Sequence, residues 1–481
     1  MMTLNKQVCL VTTALAMLLT SCSQKNITLE GKVTHASDAP IVYNITTNGI
    51  YLPGKFDTLH INPDSTYQIS LPINSNEKLS LSLYGKRGLG AIYLAPGKQK
   101  LDIDASKSNE LTPVNKFTKE NEILRKLTDL NENVLNLRTY EGDIFNISKD
   151  TVAASVYQKL IDYATTAENR LTDIDNEFKQ RAMQDIRMQV LLAFISQYFP
   201  NCRKGSDITK QEWNDSYSKI LEFANMNQAA NVFSPIFADV IFNIANIEIF
   251  WKNGKQVKDE NERNQVMFDW YKANLQGRVQ EVAMGLIFLE DANREYYATG
   301  IPALYEEFKQ LWSNSILLPK IESALQKNIA FNKTKLPEDI NILNTDSVRT
   351  FKEITSQYAG KVIFIDVWAT WCRPCRASFA HIKPLQKFAN ENDIVLLYVS
   401  VDPPQKAELW KKMAGNYNLK GEHAIINETF KNEIYDTFGR NNSLSIPHYA
   451  IINKKGELQF QSAASPEDMD KLTEQLKEAA K

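Results

Sequence analysis

The chain has 481 residues, of which 43% are hydrophobic, 10% aromatic and 23% charged, a balance that excludes intrinsic disorder and, at this length, predicts about three domains. Its 55 basic residues against 57 acidic ones leave a net charge of -2, so there is no global basic field to hold nucleic acid, and no nucleic-acid partner is expected.

Lys6 precedes a mostly apolar run from Val8 to Leu19, which is too short to cross a bilayer at a rise of about 1.5 Å per residue and reads as a secretory signal. The run closes as Leu19-Thr20-Ser21-Cys22. That ending resembles the lipobox of bacterial lipoproteins, which implies removal of residues 1–21, lipidation of Cys22 and a short tether over 22–26. The resemblance makes the expected location the cell envelope, with a lipid anchor in the membrane; Ser23 and Gln24, which follow the lipobox without an Asp or an acidic run, favour the periplasmic face of the outer membrane. No later stretch is long and apolar enough to suggest a transmembrane helix.

Five cysteines sort by position. Cys9 falls in the signal and Cys22 at the lipid site, leaving Cys202, Cys372 and Cys375. Three do not make a disulfide framework. Cys202 follows an expected helix end at Phe199-Pro200-Asn201 and reads as a spare, semi-buried thiol.

Residues 27–112 are strand-like. Tyr67 to Leu71 and Lys78 to Leu83 alternate apolar and polar residues, and Asn62-Pro63-Asp64-Ser65 supplies turn chemistry before them, so a small antiparallel β domain is expected. Its run Ile92 to Gly97, followed by Leu101-Asp102-Ile103-Asp104, resembles the β domain placed ahead of thioredoxin modules in envelope lipoproteins. Over 113–332 the period becomes helical, as in Val152 to Lys179, Arg181 to Tyr198, Val232 to Phe250 and Leu304 to Trp312, so the middle of the chain is expected to be all-α. Its aromatic residues, among them Trp213, Phe237, Trp251 and Tyr271, are read as core first and as a groove second.

A charged, polar stretch from Asn332 to Asp339 reads as a linker, and after it strands and helices alternate through 333–481. Val362 to Val367 and Ile394 to Val401 are expected strands, Ala377 to Asn390 and Lys406 to Tyr417 expected helices, and Tyr449 to Ile452 with Leu458 to Phe460 a hairpin. This order gives a mixed sheet with helices on both faces.

Trp371-Cys372-Arg373-Pro374-Cys375 falls where a strand ends and a helix begins. Unpaired amide N–H groups there favour a thiolate at Cys372, Arg373 adds positive charge, and Pro374 fits a first turn without losing a needed bond. Cys375, one turn further in, can close a disulfide.

The wider stretch Phe364-Ile365-Asp366-Val367-Trp368-Ala369-Thr370 leading into those cysteines resembles the active-site strand and turn of thioredoxins, and the domain is similar to the TlpA/ResA type of envelope thioredoxins. Val399 to Asp402, Trp410, Ser445-Ile446-Pro447 and Ile451 to Gly456 extend the resemblance in order along the chain. It implies a thioredoxin fold and dithiol–disulfide exchange with protein substrates, with Cys372 and Cys375 as the redox pair. It also implies a buried Asp366 that takes a proton in the resolving step, and a cis bond at Ile446-Pro447. Trp371, Arg373, Pro374, Ile446 and Pro447 would then meet the substrate. No cofactor is implied, and a membrane electron donor of DsbD or CcdA type is. The chain departs from the family at Ser378 and Ala380, where Glu and Pro are usual.

Three rivals are weaker. A zinc site lacks a second cysteine pair and draws on only five His, so no metal is expected. A thiol peroxidase would place Thr or Ser at Ala369 and Pro at Ile365. A non-enzymatic binding or scaffold lipoprotein would not need an intact pair of cysteines beside Asp366 and Pro447.

Overall fold

The computed structural model describes residues 27–481 except 38–39, 53–55, 72–78, 85–87, 95, 108–109, 112, 124, 126–151, 205, 346 and 440–442. The signal, Cys9 and the lipobox with Cys22 lie outside the described residues. The chain divides into two compact units: one runs to Lys255 and takes in Trp270–Leu286, and the other comprises Gln256–Asp269 and Ile287–Lys481. This division cuts across the expected three parts, because the last helices of the middle region cluster with the C-terminal sheet.

In the first unit, β1 (Ile27–Thr34), β2 (Val42–Ile45), β3 (Asp57–Thr58), β4 (Thr66–Leu71), β5 (Leu79–Tyr84), β6 (Gly88–Leu94), β7 (Gly97–Lys100) and β8 (Ile103–Asp104) form the strand region. Alternation decides which residues turn inward: Ile27, Leu29, Val33, Tyr67, Ile69 and Leu71 share one core with Leu94, Leu101 and Ile103. The expectation of a small antiparallel domain needs correction. β1 pairs antiparallel with β4 but parallel with β7 and β8, while β3-β2-β5-β6 is antiparallel throughout. Alternation marks a strand but not its direction, and the chain reaches the second edge of β1 only after the β5–β6 hairpin, running the same way as β1.

The helices of this unit begin with α1 (Ala153–Glu168), α2 (Asn176–Lys204), α3 (Asp207–Ala224) and α4 (Phe237–Ala245). Val156 and Leu160, Ile186, Leu191 and Phe194, and Trp213, Tyr217 and Ile220 are buried in one shared core. Ser206 caps α3 by accepting the Thr209 N–H. Pro200 does not end α2 as expected but sits inside its last turns, with the helix continuing to Lys204, and Cys202 is a free thiol buried beyond it. Of the aromatic residues considered as a groove, Trp213, Phe237 and Tyr271 are buried, whereas Trp251 is exposed.

Helices α5 (Glu260–Asn274) and α6 (Gly277–Asn293) contribute to both units, and α7 (Ile301–Leu311) and α8 (Leu318–Asn332) belong to the second. There follow β9 (Ile340–Ile342), α9 (Phe351–Thr355), β10 (Ile363–Trp368), α10 (Arg373–Ser378), α11 (Ile382–Glu391), β11 (Val395–Ser400), α12 (Ala407–Asn416), β12 (Gly421–Ile425), α13 (Glu428–Phe438), β13 (His448–Ile452), β14 (Leu458–Phe460) and α14 (Met469–Ala479). The sheet runs β14-β13-β10-β11-β12-β9, with β10, β11, β12 and β9 parallel and β13 and β14 antiparallel. Side chains alternate across it. Phe364 and Trp368 lie in one core with Leu385, Trp410 and Leu472, which covers that face with α11, α12 and α14. Ile363, Ile365 and Val367 lie in the other with Ile354, Phe430 and Ile434, which covers the second face with α9 and α13. Phe331 of α8 joins the first core, so the expected linker after Asn332 follows a helix packed on the sheet domain.

Candidate active site

β10 is buried along its whole length, and the chain leaves it through a turn fixed by a carboxylate. Asp402, fully buried just after β11, accepts the Thr370 N–H at 2.7 Å and the Thr370 hydroxyl at 2.7 Å. Ser400 donates its hydroxyl to the same carboxylate at 2.7 Å. Both oxygens of a buried charge are thereby engaged, as burial requires. Held in this way, the chain places Cys372 at the N-cap of α10, where its Sγ accepts the Cys375 N–H at 3.1 Å. Pro374 occupies the first turn, where an absent N–H costs nothing.

Cys372 and Cys375 are joined in a disulfide with their Cα atoms 5.3 Å apart. Cys372 is 4% exposed and Cys375 wholly buried, so the asymmetry between them is one of edge and interior, and Cys372 is less open than a freely exposed thiol. Trp371 stands out at 60% exposure, with Arg373 and Pro374 exposed beside it. The Ile446–Pro447 bond is cis, and Ile446 packs against the cluster that holds both cysteines.

Asp366 sits on β10 between Phe364 and Trp368, whose side chains share the face of Cys372, Cys375 and Phe379. It is buried, its Oδ1 has no hydrogen-bond partner, and burial raises its pKa to about 8. Tyr398 and Tyr449 stand on the strands either side of it. The sequence-derived site residues thus gather around one disulfide, with the exception of Cys22, which lies outside the described residues.

Residues 344–476 match the Redoxin family. The ResA thiol-disulfide oxidoreductase of Geobacillus kaustophilus is 24% identical over 124 residues, which are 25% of this chain and 67% of that protein. ResA of Bacillus thuringiensis is 27% identical over 120 residues, 25% of this chain and 64% of that protein. The C-terminal domain belongs to the TlpA/ResA-type thioredoxin-like family. It is a thioredoxin-like oxidoreductase domain, and the chain spans about two thirds of the length of these ResA proteins. Among solved structures, the thioredoxin domain of a thiol-disulfide oxidoreductase from Bacteroides vulgatus is 15% identical, covering 26% of this chain and 81% of that one with a TM-score of 0.22.

Within this TlpA/ResA-type domain the departure at Ser378 has a structural counterpart. Ser378 is buried on α10 and accepts the Tyr449 hydroxyl at 2.8 Å, so the place usual for a Glu is taken by a neutral pair. The sequence motif points to Arg373 and not to Arg376. Yet Arg373 points outward, while Arg376 is buried and donates from Nη1 to the Thr370 carbonyl at 2.6 Å. Its position one turn after Cys372, on the inward side of the helix, is the signal that could have singled it out. Thr370 and Asp402 carry no signal of a shared role in the sequence, since only the fold brings them together across two strand ends.

Proposed function

We propose that this chain is an envelope thiol–disulfide oxidoreductase working mainly as a reductase of protein disulfides, tethered through Cys22 and recharged by a membrane donor of DsbD or CcdA type. The observation that carries the reading is the Cys372–Cys375 disulfide at the start of α10, with Trp371 exposed beside it and buried Asp366 behind it. In the reduced form the Cys372 thiolate attacks one sulfur of a substrate disulfide. The substrate S–S bond breaks, a mixed disulfide forms, and the leaving sulfur takes a proton. Cys375 then loses its proton to Asp366 and attacks the Cys372 sulfur. The second substrate thiol departs, two electrons and two protons have passed to the substrate, and the disulfide of the structure is restored.

The reductase direction rests on Pro374 ahead of Cys375 and on Asp366, both thioredoxin-like. Ile446, packed against the cluster that holds both cysteines, would offer its backbone N–H and carbonyl to an extended substrate segment. The test is capture: Cys375→Ser should freeze mixed disulfides on Cys372 in cells, identified by mass spectrometry, and the full chain from Ser23 should reduce insulin when given a dithiol. A potential near DsbA's, about -120 mV, instead of near thioredoxin's, about -270 mV, would reverse the direction. Adducts that persist in Cys372→Ser would overturn the order of attack.

A further inference from the structure

Glu295 reaches the active-site helix from outside the thioredoxin fold. It lies in the connection between α6 and α7, where Glu295 at φ 55° and Tyr297 at φ 47° both hold left-handed backbone that side chains rarely adopt. The connection is fastened at several points. Asp291 accepts the Ala298 N–H at 3.0 Å and the Asn328 amide at 3.2 Å, and Asn328 donates also to the Ala298 carbonyl at 2.9 Å. Asn332 donates to the Tyr297 carbonyl at 2.8 Å, and Lys412 of α12 donates to Asn332 at 2.9 Å. Strain held by this many bonds marks a place whose geometry matters.

What the connection delivers is a carboxylate. Glu295 Oε2 lies 3.1 Å from Arg376 Nε, an ion pair whose N–H does not aim at the oxygen, and Glu295 accepts a hydrogen bond from the Tyr417 hydroxyl. The Arg376 side chain is 7% exposed and spans from Glu295 to the Thr370 carbonyl, two residues before Cys372. A bare guanidinium here would favour the Cys372 thiolate and so the reduced dithiol, whereas a paired one acts only as a dipole.

We propose that Glu295 is a positioning residue that neutralises Arg376 and holds it against Thr370, so that the helical segment sets the dithiol–disulfide equilibrium of Cys372 and Cys375. The inference rests on the oxidoreductase reading and names what tunes that site. No covalent step is added to the exchange already written.

The test measures the equilibrium of the full chain with reduced and oxidised glutathione. E295Q leaves Arg376 unpaired and should shift the equilibrium toward the dithiol by about threefold to thirtyfold, the range for one charge about a helical turn away at intermediate dielectric. R376Q leaves Glu295 unpaired and should shift it the opposite way. The double variant E295Q/R376Q should return to within about threefold of the wild type, and E295D should rescue. Shifts of the same sign in both single variants, or a double variant displaced as far as E295Q, would assign Glu295 to packing and overturn the proposal. If E295Q does not fold, the double variant decides: E295Q/R376Q must lie closer to the wild type than R376Q does, and a double variant displaced as far as R376Q overturns the proposal. A wild-type chain that neither equilibrates with glutathione nor reduces insulin would defeat the oxidoreductase reading itself, and this inference with it.

Discussion

Tyr449 stands directly opposite Asp366 across the antiparallel β10–β13 pair, on the face of the sheet that carries the disulfide. The tyrosine gives its hydroxyl to Ser378, and it does not solvate the carboxyl through any bond in the structure. Asp366 is therefore left with an unpartnered oxygen and a pKa near 8, raised by burial. At neutral pH it is mostly protonated, yet close enough to its midpoint to accept a proton during turnover. Asp366→Asn keeps the shape and removes that capacity. Insulin reduction should fall by about a hundredfold, in line with the loss of one general base, and the inflection near pH 8 in the wild-type rate profile should disappear. A variant profile that keeps the inflection would assign it to another group.

The same burial makes Asp366 a pH-dependent liability for stability. Its folded pKa lies above the ordinary carboxylate value of 3.8, so the stability of the neutral carboxyl is full below about pH 4 and is lost as pH rises through about 8. His423 works the other way. Buried against Tyr398, its pKa falls from 6.5 to about 4, so its contribution is present above 6.5 and lost as pH falls through about 4. Asp366→Asn should therefore stabilise the C-terminal unit by a few kcal/mol at pH 9 and by much less at pH 5. Urea unfolding followed by tryptophan fluorescence at the two pH values would read the difference, and equal gains at both would remove the buried charge as the cause.

How far the sequence could be read varied with the range of the interaction concerned. The strand Ile363–Trp368, the cysteines at the head of α10 and the Tyr449–Phe460 hairpin were legible because alternation and turn residues are local signals. β12 and α13 were not singled out, since Gly421-Glu422-His423-Ala424-Ile425 is short, mixed in polarity and becomes a strand by pairing with β11 and β9. The expected helix Ala377–Asn390 is broken by a tight 3-10 turn at Phe379–His381. The contacts that hold the site, Thr370 with Asp402 and Arg376 with Glu295, span 32 and 81 positions. No periodicity in one sequence encodes such pairs.

Thr370 is tied to Asp402 by backbone and side chain together, which locks the residue that hands the chain to Trp371 and Cys372. Thr370→Val preserves the branched shape and leaves one Asp402 oxygen without its hydroxyl donor. The cost should be about 1–3 kcal/mol, the penalty for an unsatisfied buried acceptor. Insulin reduction should drop as the turn loosens. Thr370→Ser restores the donor and should recover most of the activity, whereas a loss in the Ser variant with none in the Val variant would make the methyl group responsible.

The strand region offers a test at the opposite end of the chain, because Gly31 of β1 has no room for a side chain. A Cβ there would meet the Leu101 carbonyl oxygen at 1.9 Å and its carbon at 2.6 Å, both backbone atoms that no rotamer change can move. Leu101 is itself pinned, its carbonyl accepting the buried Tyr67 hydroxyl at 2.6 Å and its N–H donating to the Glu30 carbonyl at 2.9 Å. The neighbouring Lys32 N–H donates to Asp102 at 3.0 Å. Gly31→Ala must therefore part β1 from the segment joining β7 and β8, and a loss of about 3 kcal/mol or more is expected from overpacking with broken strand bonds. Limited proteolysis should show early cleavage between Ile27 and Asp104. The glutathione equilibrium of Cys372 and Cys375 should stay at the wild-type value, since the bonds of Thr370 with Asp402 and Arg376 lie within the second unit. Loss of both properties together would show that the strand region supports the redox site, and retention of both would mean that the sheet yields at Leu101 more readily than its bonds indicate.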